Sequence, residues 1–293
     1  MLSPLVTSFR PEQWTKNLLV FAGLLFGGRL FDPAALGSAT ATFVIFCGLS
    51  SAIYLFNDIA DRHGDQQHPL KRTRPIAAGQ LPVRVALGAG VVLVASGIAG
   101  ALWISPTLAL VTVAYVVVLT LYSFLFKHIV IVDALTIAGG FVLRAVAGAV
   151  AVAVPISHWL LVCTTLFALF LSFSKRRHEL VLLADGASSH RPILDHYSPY
   201  LLDQMISVVT ASTVITYSLY ATSSETAQRF GTSRLGLTIP FVLYGIFRYL
   251  YLVHQRRGGG SPSAMLVSDR PLLVCVALWV LSVGLILYTP LGR

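Results

Sequence analysis

Apolar runs of about twenty residues recur along the whole chain, separated by short polar or charged stretches. We read nine of them, at residues 17–34, 37–58, 83–103, 106–125, 130–151, 157–178, 204–222, 236–255 and 271–289. Each is long enough to cross a bilayer as a helix. All are predicted helical, because an open sheet leaves backbone N–H and C=O groups unsatisfied in lipid. The expected fold is all-α: a polytopic membrane protein with nine transmembrane helices, forming one domain over residues 1–293.

The polar stretches have characters of their own. The segment before the first run, from Ser8 to Asn17, is amphipathic and aromatic and is predicted to lie in the interface. The stretch at 179–203 is long and polar, carries Gly186, Pro192 and Pro199, and is expected to cover a site as a lid. Gly258 to Pro262 reads as a flexible connector before the last run.

Composition agrees with this pattern. Hydrophobic residues make up 56% and charged residues only 11%, with a mean hydropathy of +0.77, whereas a soluble domain has about 25% charged residues. In so apolar a chain, the net charge of +9 points to loop bias and to anionic lipids or substrates rather than nucleic acid. Of the 21 Lys and Arg, fifteen fall at the N-terminus or after the even-numbered runs, four fall on the opposite side, and Arg144 and Arg248 lie within runs. That asymmetry predicts a cytoplasmic N-terminus and an external C-terminus. Asp58, Asp61, Asp65, Glu179, Asp185, Asp195 and Asp203 gather on the basic side, which topology alone does not require and a catalytic mouth does. Cys47, Cys163 and Cys275 lie far apart inside apolar runs, so no disulfide framework or metal cluster is expected.

The candidate chemistry begins where the second run ends. On a continuous helix, at about 100° per residue, Asp58, Asp61 and Asp65 fall at roughly 0°, −60° and −20°, sharing one face. Carboxylates so close repel one another unless a cation lies between them. Hard oxygen donors suit Mg²⁺, which bridges carboxylates to substrate phosphates. Lys71, Arg72 and Arg74 follow, bounded by Pro69 and Pro75, and can hold the rest of a phosphorylated ligand. The segment reads as a Mg²⁺–diphosphate site at a membrane surface. Its alternative is a solvated loop obeying the positive-inside rule.

Further cations stand at other run ends. Tyr122 and Lys127 close the fourth run, where they either bind phosphate or anchor the helix at the interface. Asp133 and Arg144 share one face of the fifth run, and a charge that deep faces a polar cavity or an acidic partner. Lys175, Arg176 and Arg177 close the sixth, with Glu179 one turn beyond Lys175. They form a second anion-binding wall or snorkel to the surface. Arg248 and the aromatic residues near it read as a snorkelling belt.

The pattern Asn57-Asp58-x-x-Asp61-x-x-x-Asp65, the nine spans and the charged stretches after the second and sixth resemble the UbiA superfamily of intramembrane prenyltransferases. The resemblance implies helices around a central cavity, a polar cap on the cytoplasmic side and a lateral opening to lipid. Members acting on aromatic acceptors carry a second Asp-rich motif after the sixth span, where this chain has Lys175-Arg176-Arg177-His178-Glu179. Together with Arg10-Pro11-x-Gln13-Trp14-x-Lys16-Asn17 and His68-Pro69-x-Lys71-Arg72-x-Arg74-Pro75, that departure resembles the decaprenyl-phosphate phosphoribosyltransferases. This narrower resemblance implies transfer of 5-phosphoribosyl from phosphoribosyl pyrophosphate (PRPP) to a polyprenyl phosphate in the bacterial cell membrane, on a route to cell-wall arabinan.

On that expectation Asp58, Asp61 and Asp65 are the catalytic residues and Mg²⁺ ligands, with Asn57 orienting the first carboxylate or a sugar hydroxyl. Lys71, Arg72, Arg74, Tyr122 and Lys127 hold the donor. Lys16, Arg144, Lys175 and Arg176 are candidates for the acceptor phosphate, the alternative being that donor and acceptor roles among the cations are exchanged, and Asn17 is a further substrate-binding residue. A homo-oligomer fits such a bundle. The rival readings are a prenyltransferase joining a polyprenyl diphosphate to an aromatic acceptor, and a non-catalytic lipid-binding or transport protein.

Overall fold

In the computed structural model, three long helices open on a capping oxygen followed by proline. Asp32 accepts from the Ala34 and Ala35 N–H groups, Ser105 from Leu108 and Ser198 from Leu201, with Pro33, Pro106 and Pro199 next in line. The cap satisfies donors that the helix leaves open, and proline gives up an N–H that has no partner there. The structure describes residues 2–67, 71–182, 192–256 and 262–289. Among these, every regular element is helical.

Among the described residues, eight helices are long and apolar enough to cross a membrane. They correspond to the second through ninth predicted runs, and the chain is a multi-pass membrane protein. Their outer faces carry large apolar side chains, such as Val92, Leu110, Val208 and Leu281, as contact with lipid tails requires. The first run differs from expectation. In place of one α-helix over 17–34, a 3-10 helix spans Pro11–Phe21 and continues as a short α-helix, Ala22–Phe26.

The chain divides into two compact units, Met1–Ile156 and Ser157–Arg293. In the first, the elements are α1 (Leu2–Phe9), the 3-10 helix, α2 (Ala22–Phe26), α3 (Pro33–Ala60), α4 (Arg62–Gln67), α5 (Val83–Ile104), α6 (Pro106–Phe124) and α7 (Val132–Ala151). The 28-residue α3 is the hub, touched by α1, the 3-10 helix, α5, α6 and α7. Phe46 and Leu49 of α3 pack with Val20, Ala101, Leu108, Tyr115 and Ala147 in one buried cluster. The 3-10 helix lies tightly against α7: a Cβ on Gly148 would stand 1.9 Å from the Val20 carbonyl oxygen, so only glycine admits this approach.

In the second unit, α8 (His158–Leu182) packs along α9 (Pro199–Thr222), and α10 (Ser224–Phe230) and a 3-10 turn (Arg234–Thr238) lead into α11 (Ile239–Gln255). A short α12 (Pro262–Ser268) precedes α13 (Arg270–Tyr288). Tyr217 bonds the Thr238 hydroxyl at 2.6 Å and accepts from the Trp279 indole at 2.9 Å, joining three elements. Arg248 does not merely snorkel. Its Nε and Nη2 donate to the two oxygens of Asp269 at 3.1 and 2.8 Å, and the same carboxylate caps α13. The centre of the expected lid, 183–191, and most of the expected connector, 257–261, lie outside the described residues. Flanking the former, α8 runs to Leu182 and a 3-10 turn covers Pro192–His196.

Candidate active site

The aspartates are not on one continuous helix. Helix α3 stops at Ala60, and Asp61 takes φ −88° and ψ 1°, turning the chain before α4 begins at Arg62. The turn is hydrogen-bonded rather than open: the Asp61 N–H donates to the Asn57 carbonyl at 2.9 Å, and the Asp65 N–H to the Asp61 carbonyl at 2.8 Å. The turn sorts the three carboxylates into two groups. Asp58 and Asp65 are buried and accept from the same Nη1 of Arg74, at 3.1 and 2.6 Å. Asp58 also accepts from Arg10 Nη2 at 2.5 Å. Asp61, a third exposed, accepts from Lys127 Nζ on one oxygen and from Asn57 Nδ2, at 3.1 Å, on the other.

Arg74 is held by the segment that follows it. Ile76 and Leu81 are buried with Leu55 of α3 and Ala86 of α5. The Leu81 N–H closes on the Pro75 carbonyl at 3.0 Å, and Gln66 Nε2 reaches the Ala77 carbonyl at 3.3 Å. The turn passes through Gly79 at φ +73°, a conformation that costs glycine little. Lys127 stands on the 3-10 turn Phe126–His128 that ends α6, with Tyr122 half-buried one turn earlier.

Arg10 was missing from the expected binding residues, although its motif was visible. It links α1 to the 3-10 helix in the left-handed region, φ 52° and ψ 62°, and lies 4.8 Å over the Tyr54 ring. A non-glycine residue pays about 1–2 kcal/mol there, and the following Pro11 pushes it toward extended backbone instead. The charge-assisted bond to buried Asp58 offsets that cost.

The electrostatics follow from burial. Taking Asp58 out of water is expensive, and two guanidinium groups on one oxygen compensate for it. Burial pushes the Asp65 carboxyl above its ordinary 3.8; the charge and hydrogen bond of Arg74 and the charge of Lys71 pull it back, and the Asp58 charge adds to the rise.

Lys71, whose charge acts on Asp65, begins the 3-10 turn Lys71–Thr73, and Arg72 beside it is exposed. Asn17 and Arg144, expected at the phosphate, are committed to each other deeper in the unit. Arg144 Nε donates to Asn17 Oδ1 at 2.7 Å, Nη1 to the Gly140 carbonyl at 3.0 Å and Nη2 to Tyr115 OH at 2.6 Å. Asn17 Nδ2 in turn reaches Ser50 Oγ at 3.2 Å. Lys16 on the same 3-10 helix is half-buried. In the second unit, Arg176 is buried and donates to Glu179 at 2.9 Å, and Lys175 lies 3.8 Å from the same carboxylate, the expected one-turn pair.

The donor set suits a hard divalent cation: three carboxylates and an amide at one helix end. Among the described residues, however, no three His, Cys, Asp or Glu side chains stand together as a ready metal cage. Cations of the protein lie on the carboxylates instead: Arg10 and Arg74 on Asp58, Arg74 on Asp65 and Lys127 on Asp61.

Comparison with known proteins shows the family. The decaprenyl-phosphate phosphoribosyltransferase of Corynebacterium glutamicum is 34% identical over 97% of this chain and 86% of its own length. The enzyme of that name from Mycobacterium tuberculosis is 33% identical over 97% of this chain and 94% of its own. A UbiA homolog from Archaeoglobus fulgidus, solved with DMAPP and Mg²⁺, superposes with a TM-score of 0.75 at 19% identity, covering 96% of this chain and 98% of that one. Residues 17–268 match the model of the UbiA prenyltransferase family, and the chain belongs to that family.

Proposed function

We propose that this protein transfers a 5-phosphoribosyl group from PRPP to a polyprenyl phosphate with release of pyrophosphate, supplying a cell-wall arabinan precursor. The observation that carries this reading is the near-full-length likeness to two enzymes named decaprenyl-phosphate phosphoribosyltransferase. The site supports it chemically. Both substrates carry phosphate, and the unit around α3 offers acids for a cation and cations for phosphate in two neighbouring groups on either side of the Asp61 turn.

Asp58, Asp61 and Asp65 would hold Mg²⁺, which when bound stabilises charge on the leaving pyrophosphate. Arg74, Lys71, Arg72, Tyr122 and Lys127 orient the donor through its phosphates, and Asn57 steadies Asp61. Lys16 is the cation of this unit that we assign to the acceptor phosphate. Asn17 and Arg144 act from below, fixing the 3-10 helix that carries Lys16 and starts next to Arg10. A phosphate oxygen is already ionised near neutral pH, so attack on the anomeric carbon asks for no general base. The donor reaches the site from the cytoplasm, and the lipid enters from the bilayer.

The test is a product assay. Protein in nanodiscs is incubated with Mg²⁺, labelled PRPP and decaprenyl phosphate, and label is followed into the lipid phase. The expected result is a labelled lipid that disappears with EDTA and with Asp61→Asn. Folded protein that leaves all label in water, yet joins a polyprenyl diphosphate to an aromatic acceptor, would overturn the choice of substrates.

A further inference from the structure

We propose that Arg10 and Arg74 are exchangeable ligands of the acidic site: they hold Asp58 and Asp65 while no divalent cation is bound, and pass to the donor's diphosphate when one is. This rests on the metal–diphosphate reading above and adds its regulation, a built-in coupling that makes metal and diphosphate bind together rather than separately.

Accessibility is the first observation. The Asp58 and Asp65 side chains are 2% and 4% exposed, whereas those of Arg10 and Arg74 are 22% and 24% exposed. The carboxylates lie beneath the guanidinium groups, so a cation reaches Asp58 only when an arginine leaves it. Charge is the second. Three carboxylates already face three cationic side chains. A lone divalent ion would add two positive charges where cations already face every acid, the Lys71 charge acting on Asp65 as well, whereas an ion arriving with a diphosphate brings its own counter-charge. The guanidinium displaced from a carboxylate then finds anionic acceptors in the phosphate oxygens.

Backbone geometry is the third. Arg10 is in the left-handed region immediately before a proline, which disfavours that conformation. Its N–H donates to the Thr7 carbonyl at 3.2 Å and its carbonyl accepts from the Gln13 N–H at 2.9 Å, so the backbone is held independently of the bond to Asp58 and the side chain can change partner. Strain of this kind collects at ligand clamps and switch regions. Arg74 is held likewise: its loop is anchored by Ile76 and Leu81, so its side chain turns while its backbone stays.

Mn²⁺ retained with the purified protein at equilibrium dialysis, with and without inorganic pyrophosphate and against a protein-free Mn²⁺–pyrophosphate control, tests the exchange. In the wild type, pyrophosphate is expected to tighten Mn²⁺ binding about tenfold or more. Arg10→Ala removes the competitor, so Mn²⁺ alone should bind more tightly, by about threefold or more, while the enhancement by pyrophosphate shrinks. Arg74→Ala should shift both quantities in the same directions, and it keeps the test standing if the Arg10 variant fails to fold. A variant that binds Mn²⁺ alone more weakly, or keeps the full enhancement, overturns the exchange and leaves the metal site in place. Wild type that binds no Mn²⁺ even with pyrophosphate overturns the metal–diphosphate reading itself.

Discussion

At the scale of single residues, neighbouring acids are built to different standards. Asp58 is buried beneath two guanidinium groups, and Asp61 is a third exposed against one ammonium and one amide. Asp58→Asn and Asp61→Asn should each lower turnover by at least about a hundredfold, since both remove charge from the acidic site. Only Asp58→Asn should also lower the melting temperature, because it leaves two partly buried guanidinium groups without the carboxylate they share. Thermal unfolding in detergent beside the product assay separates the two effects, and equal melting temperatures would show that Asp58 carries no structural load. Asp65 has the opposite sign of effect. Its carboxyl is raised above 3.8 chiefly by burial, so its contribution to stability is complete below that value and is lost as pH rises through the folded-state pKa. In protein stripped of metal with EDTA, Asp65→Asn should therefore match the wild type near about pH 4 and melt at the same or a higher temperature near about pH 7. A variant that is less stable only at the higher pH would mean that the Arg74 pair outweighs burial.

At the scale of elements, the apolar runs in the sequence translate directly into long helices, because lipid leaves the backbone no alternative. What the runs hide is contact between distant segments. Nothing near residues 17–34 marks a 3-10 helix; it depends on Gly148, over a hundred residues later, letting α7 approach the Val20 carbonyl, and on Arg144 reaching Asn17. The same holds at the site. The acidic pattern was legible in Asp58, Asp61 and Asp65, but the turn at Asp61 has neither proline nor glycine to announce it, and it places Asp58 and Asp65 on one nitrogen of Arg74. Two glycines of α7 make the argument measurable. Gly148→Ala drives a methyl into the Val20 backbone and should destabilise by about 1–3 kcal/mol. Gly139→Ala meets nothing within 4 Å and should be neutral or stabilise by up to about 1 kcal/mol through helix propensity. Similar losses in both variants, read from melting curves, would mean that α7 tolerates no side chain at either position for a reason other than the 3-10 contact.

At the scale of the whole molecule, topology turns on that same first segment. Eight helices among the described residues are long and apolar enough to span, and an even number of crossings returns both termini to one side. The 3-10 helix Pro11–Phe21 rises about 22 Å and α2 about 8 Å more, together close to the ~30 Å hydrocarbon thickness of a bilayer. Its polar centre, Asn17, is fully buried, with partners in Arg144 and Ser50, so crossing leaves no amide unpaired in lipid. The segment is therefore expected to cross, making nine passes, with the Lys- and Arg-rich side in the cytoplasm. Green fluorescent protein fused to the N-terminus should fluoresce, since it matures in the cytoplasm, and the same fusion at the C-terminus should be dark. Alkaline phosphatase, active only outside the inner membrane, should give the reverse. Both termini reporting the cytoplasm would mean eight passes, with the first segment lying against α3 and α7 without crossing and the site's Arg10 delivered from a re-entrant element.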